Sequence, residues 1–316
     1  MERFTFGVVA YNVEKYIIEC LESIKYQVEH YGSTYEVRLI VAEDCSTDAT
    51  LKLIESWVDK NNSLFLGGVE ILRHSVNQGL VKNIINLYKK IDTPNFKVID
   101  GDDIFYKNNV FDLLGKNDVV ITTTLHFQNG YLLNKSENYH FYRLFKQKKI
   151  LDYLKESYKY RHILETPGVF FSGNLLGESL FNAMRPYKML DDIPRWKHIF
   201  NQEGLSVRVS EKPYVLYRIG SGVSLNVNNE KRKDFDVDVV KWRKQYVSVS
   251  YLKERYNRLK FSCFKRMTNF YYKKRIPALK NLIDNIKRAE QLGEGNAYLR
   301  HIIENSNIFL EEIRKK

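Results

Sequence analysis

The chain has 316 residues, 44% hydrophobic and 28% charged, with a mean hydropathy of −0.42, which excludes a disordered polymer and fits a soluble globular protein with one sizeable core. No stretch approaches the roughly 18 apolar residues of a membrane span, and Cys20, Cys45 and Cys263 are spaced for neither a zinc site nor a disulfide framework; a reducing cytoplasm is expected. The net charge of +12 is uneven: residues 231–316 hold 22 Lys and Arg against 10 Asp and Glu, while residues 1–230 balance at 28 of each sign. A boundary is expected near Asn228, between a neutral domain over 1–230 and a basic segment over 231–316.

The first 125 residues alternate strand and helix signals. The N-terminal RFTFGVVA reads as a strand, with no basic leader before it. Glu14 to Val28 carries Tyr16, Ile17, Cys20, Leu21 and Ile24 at helical spacing. VRLIVA predicts a second strand, and Thr47 to Val58 a helix with Ser46 or Thr47 as its N-cap. VEILRH, a helix from Leu80 to Lys90, the strand NFKVID and the strand VVITTT follow. This order predicts an α/β fold with a mainly parallel central sheet flanked by helices. Ligands in such sheets sit beyond the carboxyl ends of the strands, where strand order reverses. Residues 126–230 are less regular, with short strands VFFSG and KPYVLYR and helices over Lys146 to Tyr160 and Leu175 to Met184.

Polar clusters fall at the predicted strand ends: Tyr11-Asn12, Glu43-Asp44 and Asp100-Gly101-Asp102-Asp103. Carboxylates brought together where a buried strand emerges repel one another, and a bound cation relieves this; hard oxygen ligands favour Mg2+ or Mn2+. An acidic loop with helix-capping aspartates is the plainer alternative for Asp100, Asp102 and Asp103. Asn77-Gln78-Gly79-Leu80 opens a helix with Lys82 and Asn83 in its first turn, a setting that suits an anion. No Gly-rich dinucleotide fingerprint, P-loop or nucleophile elbow occurs, and the seven histidines lack metal-ligand spacing.

The succession VVAYNVEKYIIECLESI, VRLIVAEDCSTDATL, HSVNQGLVKN and VIDGDDIF, over about residues 3–125, resembles the inverting glycosyltransferase family two, which has the A-type fold and includes many bacterial polysaccharide transferases. The resemblance implies a nucleotide-sugar donor held by residues 1–125, an acceptor half over 126–230, a DxD-type metal site and inversion at the anomeric carbon. Carried over by position, Ala10, Tyr11 and Asn12 line the nucleotide pocket, Asp44 reads the base, and Lys82 lies near base or ribose. Asp102 and Asp103 meet ribose, diphosphate and metal. The chain departs from the family pattern at Val9-Ala10, at Glu43 and at Cys45, where Pro-Thr, Asp and Gly are usual. Leu190-Asp191-Asp192-Ile193-Pro194-Arg195-Trp196 resembles the family's acidic pair at a helix start. Asp192 is then the expected base, Asp191 its orienting partner or a helix cap, and Trp196 a stacking face for sugar. Arg218, with Ser221, Gly222 and Ser224, is expected to clamp the diphosphate.

From Val240 to Arg288 there are 15 basic residues against Glu254 and Asp284, with apolar residues from Trp242 to Phe270 recurring every three or four. Packing against the catalytic domain and contact with an anionic membrane surface are both open to such a face; nucleic acid ranks last, since no binding module is present. The sequence therefore predicts a cytoplasmic transferase, peripheral at the inner membrane face, that extends a lipid-linked glycan for O-antigen or capsule assembly. UDP is the expected carrier. A nucleotide-sugar-binding scaffold without turnover is the rival.

Overall fold

The structure, a computed structural model, describes residues 1–128, 131–137, 164–220, 230–246 and 308–314. The expected helix Lys146–Tyr160, the residues Ser221, Gly222 and Ser224, and the apolar stripe between Tyr246 and Phe270 lie outside these residues. Two compact units form: Met1–Asp238 with Ser306–Lys316, and Val239–Asn305. The site belongs to the first.

Strand β1 (Glu2–Ala10), helix α1 (Ile17–Tyr31), β2 (Tyr35–Glu43), α2 (Thr50–Asn61), β3 (Val69–Arg73), α3 (Leu80–Tyr88) and β4 (Asn95–Asp100) alternate as predicted. The strands pair in parallel in the order β3-β2-β1-β4. From Phe4 to Ala10 every residue of β1 is buried, which is why this strand reads as an unbroken apolar run: helices cover both faces of a parallel sheet. Helix α1 turns Ile17, Cys20, Leu21, Ile24 and Val28 inward at helical spacing. The chain builds β2 and β3 on one side of β1 and then returns to place β4 on the other. Strand order thus reverses between β1 and β4, and the crevice opens where Ala10 and Asp100 end their strands.

The N-cap expected for α2 is corrected. The helix begins at Thr50, and neither Ser46 nor Thr47 caps it. The Ser46 hydroxyl accepts from the Asn12 amide at 3.0 Å, and the Thr47 amide donates to Asn12 Oδ1 at 2.8 Å. Asp48 Oδ1 takes the Thr50 amide instead, at 2.9 Å. The hydroxyls are diverted to tie the β2 loop to the β1 loop.

A second, mixed sheet follows in the order β5-β9-β6-β7, from β5 (Ile104–Phe105), β6 (Val119–Gln128), β7 (Tyr131–Glu137) and β9 (Val207–Arg218), with β8 (Val169–Phe171) also paired to β6. Helices α4 (Glu178–Met184), α5 (Asp192–Phe200) and α6 (Glu230–Tyr246) follow, and residues 308–314 are helical. Phe4 of β1 meets Phe111 at 4.8 Å between ring centroids, and Phe6 meets Phe105 of β5 at 5.3 Å. This cluster fastens the segment just after the acidic turn to the floor of the first sheet, each buried ring contributing roughly 1.5–3 kcal/mol. Among the described residues, no helix is long and apolar enough to cross a membrane.

Candidate active site

The loops beyond β1 and β2 hold each other in unusual backbone. Asn12 and Cys45 have φ of 53° and 60°, the left-handed region that costs a non-glycine residue about 1–2 kcal/mol. Reciprocal bonds support them: besides the Asn12 contacts, the Val13 amide donates to Thr50 Oγ1 at 2.8 Å and the Ala49 amide to Glu14 Oε2 at 2.9 Å. The buried Glu43 carboxylate accepts from the Ser46 amide at 2.7 Å and the Cys45 amide at 3.2 Å.

Asp44 is buried at the end of β2, and both its oxygens are engaged by the turn that opens α3. Oδ1 accepts from the Gln78 amide at 2.7 Å and Oδ2 from the Gly79 amide at 2.9 Å. The helix N-terminus expected to hold an anion thus meets an anion of the protein's own. Burial nevertheless holds the Asp44 carboxyl above the usual carboxylate range, the two amides opposing the shift. Lys82 stands on the exposed side of α3 and does not line the cavity, whereas buried Asn83 does, bonded to His74 and to the Ala42 carbonyl. Ala10 is fully buried, and its carbonyl accepts the Asp44 amide at 3.0 Å.

Asp100, Asp102 and Asp103 bring carboxylate oxygens within 4.8 Å of one another. Gly101 allows this tight turn: a Cβ there would lie 3.1 Å from both Ile17 and Val13 side chains, and its amide donates to the Val9 carbonyl. Asp100 opens into the cavity yet lies deep in the protein, so desolvation, with Asp102 and Asp191 beside it, pushes its carboxyl up to about 7. Asp103 is fully buried; desolvation first, then Asp102 and Asp100, hold its carboxyl well above the usual range. Its Oδ1 accepts the Arg218 amide at 2.8 Å, and its Oδ2 has no hydrogen-bond partner. An orphaned buried carboxylate oxygen amid two further carboxylates is a donor set that fits a hard divalent cation.

Arg218, expected at the diphosphate, turns away from the cavity. It is buried at the end of β9, donates to the Asp102 carbonyl at 2.7 Å and to Glu19 Oε2 at 2.6 Å, and lies 4.2 Å over the Tyr16 ring. It braces the acidic turn from behind.

On the opposite wall, α5 begins at Asp192, with Asp191 as its N-cap residue. Asp191 pairs with buried Arg195 at 2.8 Å, and Arg195 also donates to the Tyr88 hydroxyl at 2.6 Å. Asp192 Oδ1 accepts the adjacent Ile193 amide at 2.7 Å; burial, and then the Asp191 charge, raise its carboxyl above the usual range. Trp196, expected to stack on a sugar, lines the cavity from within the core: it is fully buried, edge-on to Phe171 and donating to Thr166 Oγ1 at 3.0 Å. The helical period that places Asp192 at the rim turns Trp196 into the core.

One cavity of about 710 Å3 joins these parts, lined by Tyr11, Asn12, Asp44, Asp100, Asp102, Asp191, Asp192 and Tyr217 among others. That size suits a nucleotide-sized ligand. Sequence reasoning missed five charged groups on its wall: Lys97, Glu165, Lys188, Arg195 and Asp234. Lys97 of β4 is buried, donates to the Val169 carbonyl at 2.8 Å and sits 4.5 Å over the Phe170 ring. Burial, reinforced by Arg195, pushes its amine down to about 7. A lone lysine inside the apolar run FKVI was the available signal. Glu165 meets buried His126 at 2.6 Å, and nothing in its local sequence marked it.

The profile described as glycosyl transferase family 2 matches residues 5–172. The teichoic acid poly(glycerol phosphate) polymerase of Staphylococcus epidermidis is 33% identical over 106 residues, 33% of this chain and 13% of that protein. The poly(ribitol-phosphate) beta-N-acetylglucosaminyltransferase TarS of Staphylococcus aureus is 32% identical over 112 residues, 35% and 18% of the two chains. The chain therefore matches less than a fifth of the length of either relative. Among solved structures, S. aureus TarS with UDP-GlcNAc superposes with a TM-score of 0.49 at 18% identity, covering 77% of this chain and 67% of that one. A mannosyltransferase of Pyrobaculum calidifontis with GDP-Man and Mn2+ gives 0.49 at 13% identity, covering 94% and 84%.

Proposed function

The chain belongs to glycosyl transferase family 2 and has the A-type α/β fold, and from that premise we propose that it moves a sugar from a nucleotide diphosphate-sugar to a hydroxyl of a surface glycopolymer, with inversion. The observation that carries this reading is the pairing, across one cavity, of the acidic turn Asp100–Asp103 with Asp192. Asp100, Asp102 and Asp103 would hold a divalent cation, Mn2+ or Mg2+, which would supply neutralising charge for a departing diphosphate.

Tyr11, Asn12 and Asn83 form the nucleotide side of the cavity, on loops fixed by Glu43 and Asp44. Asp44 accepts backbone amides and so shapes the base pocket. Arg195 holds Asp191 in place, which leaves Asp192 as the acid available to an incoming hydroxyl. Burial, and then the Asp191 charge beside it, keep the Asp192 carboxyl raised toward neutrality, where a general base works best. Asp192 takes the acceptor proton as the hydroxyl attacks opposite the leaving group, through a transition state with oxocarbenium character.

UDP is the proposed carrier and an N-acetylhexosamine the proposed sugar, supported by the activity named for the TarS relative. The relatives' names point to a polyol-phosphate polymer as acceptor, in place of the O-antigen or capsule expected from sequence. A lipid-linked form of that polymer, met at the cytoplasmic membrane face by the basic tail, completes the proposal. The test is a thermal-shift screen of nucleotide-sugars with and without Mn2+, followed by transfer kinetics. Asp192→Asn is expected to keep the nucleotide shift and lose transfer by roughly 100-fold or more; wild-type transfer by that variant would end the base assignment.

A further inference from the structure

We infer that Asp238 of α6 is a positioning residue for Asp192, acting through the turn Lys188–Leu190. The inference rests on the reading of Asp192 as the base. Asp238 is buried, and its Oδ2 accepts three consecutive backbone amides: Lys188 at 2.8 Å, Met189 at 2.6 Å and Leu190 at 3.1 Å. Successive amides aimed at one anion form a nest, which fixes the dihedrals of the residues that contribute them. The residue after this nest is Asp191, and Asp192 opens α5 directly behind it.

Two further contacts clamp the same turn. One helical turn earlier on α6, Asp234 Oδ2 takes the Lys188 ammonium at 2.7 Å. On the other side, the Lys188 carbonyl accepts the Val81 amide at 3.0 Å, at the start of α3. Gly79 passes so closely, with φ of 86°, that a Cβ would come within 2.9 Å of Lys188 Cγ. The turn is thus wedged between α6 and the loop that Asp44 organises, and it ends in the acidic pair. Asp236, on the other face of α6, is exposed and pairs with its own helix, through Arg232 at 3.4 Å. A surface helix has no use for a buried carboxylate spent on a remote turn; Asp238 does not line the cavity, so its action on the acceptor is indirect. A shift of about 1 Å in a reacting group is enough to cost roughly 100-fold in rate.

The experiment compares the full chain with its Asp238→Ala, Asp238→Asn and Asp192→Asn variants. It reads amide exchange at residues 188–192, the thermal shift with UDP and Mn2+, and kcat for nucleotide release from UDP-GlcNAc and GDP-mannose. Asp238→Ala is expected to speed exchange at the turn about tenfold and to lower kcat by roughly 10- to 100-fold. Its donor KM and its UDP–Mn2+ shift stay within about twofold of the parent, because those report the other wall of the cavity. Asp238→Asn keeps an oxygen for the three amides and restores most of both losses. Unchanged exchange in Asp238→Ala, faster exchange with parental kcat, or a fall in kcat matched by loss of the UDP–Mn2+ shift would each overturn the inference. If Asp238→Ala does not fold, Asp238→Asn decides alone: a tenfold drop in kcat overturns, near-parental kcat and exchange support. Should neither sugar nucleotide be turned over, the exchange at 188–192 decides by the same criterion. Parental kcat in Asp192→Asn would mark failure of the base reading itself, whatever the Asp238 variants do.

Discussion

A fully buried carboxylate with one unpartnered oxygen is costly to keep ionised, and Asp103 is such a group. Asp100, Asp103 and Asp192 all have carboxyls raised above the roughly 3.9 of an unfolded aspartate. Between about pH 4 and pH 7 the native state therefore binds more protons than the unfolded chain, and stability falls as pH rises. His198, lowered by burial, opposes this slope, but it is one partly exposed group against three acids. In chelator, the melting temperature should be higher at pH 5 than at pH 6.5. Adding Mn2+ with UDP should flatten that slope, since a bound cation replaces the protons. A melting temperature that climbs with pH in chelator would count against the raised acids. Cys45 is a second residue-scale case. At φ of 60° it carries left-handed strain that glycine lacks, and glycine's freer unfolded chain returns part of the gain. Cys45→Gly should stabilise by about 0.5–1 kcal/mol, read from the urea midpoint; a loss would mean that the thiol's contacts outweigh the strain.

At the scale of elements, the helical residues 308–314 belong to the same unit as the acidic turn. Phe309, Leu310 and Ile313 are buried, Phe309 against Tyr26 at 5.0 Å and Tyr106 at 5.6 Å. Arg314 donates to Glu19 Oε1 at 2.7 Å, and Glu19 Oε2 holds Arg218, the residue behind Asp102 and Asp103. Removing residues 306–316 should cost several kcal/mol, since each buried apolar side chain contributes roughly 1.5–3. Arg314→Ala alone should cost less than about 1 kcal/mol, because its side chain is about a third exposed. Denaturant titration of the two variants separates them; equal losses would show that the ion pair, not the apolar face, anchors the segment. None of this was legible in sequence, since Glu19, Arg218 and Arg314 are far apart along the chain. The parallel sheet was legible because strands buried on both faces are continuous apolar runs, with polar residues where they end. Asp44, Asp100 and Asp102 follow from that pattern. The direction of a side chain does not: Arg218 and Trp196 looked available to ligand, and their packing turned both inward. Asp238 was hidden in the same way, inside a segment that net charge marked as a basic tail.

At the scale of the whole molecule, charge is the feature that the catalytic machinery leaves unexplained. Residues 1–230 are neutral in sum, and the 15 Lys and Arg of residues 240–288 face only two acids. A folded enzyme gains nothing in stability from such self-repulsion, and the proposed membrane role would give the charge an anionic partner outside the protein. Each Lys or Arg near an anionic bilayer contributes about 1 kcal/mol, and the effect dies away within a Debye length, about 10 Å at 0.1 M salt and 3 Å at 1 M. The full chain should therefore sediment with vesicles of phosphatidylcholine and phosphatidylserine at low salt and release at 1 M. It should ignore vesicles of phosphatidylcholine alone. Replacing Lys265, Arg266, Lys273, Lys274 and Arg275 with Ala should weaken binding to the mixed vesicles by at least tenfold. Nucleotide release from a soluble donor should stay unchanged, because none of these residues lies in the unit that holds the acidic turn. Trp242 is unsuited to this test: it is already buried, so its loss would unsettle the helix that also carries Asp238. Binding that survives both 1 M salt and removal of the five charges would refute the electrostatic account. Equal, salt-sensitive binding to single-stranded RNA and to the mixed vesicles would reduce the tail to an unselective polycation.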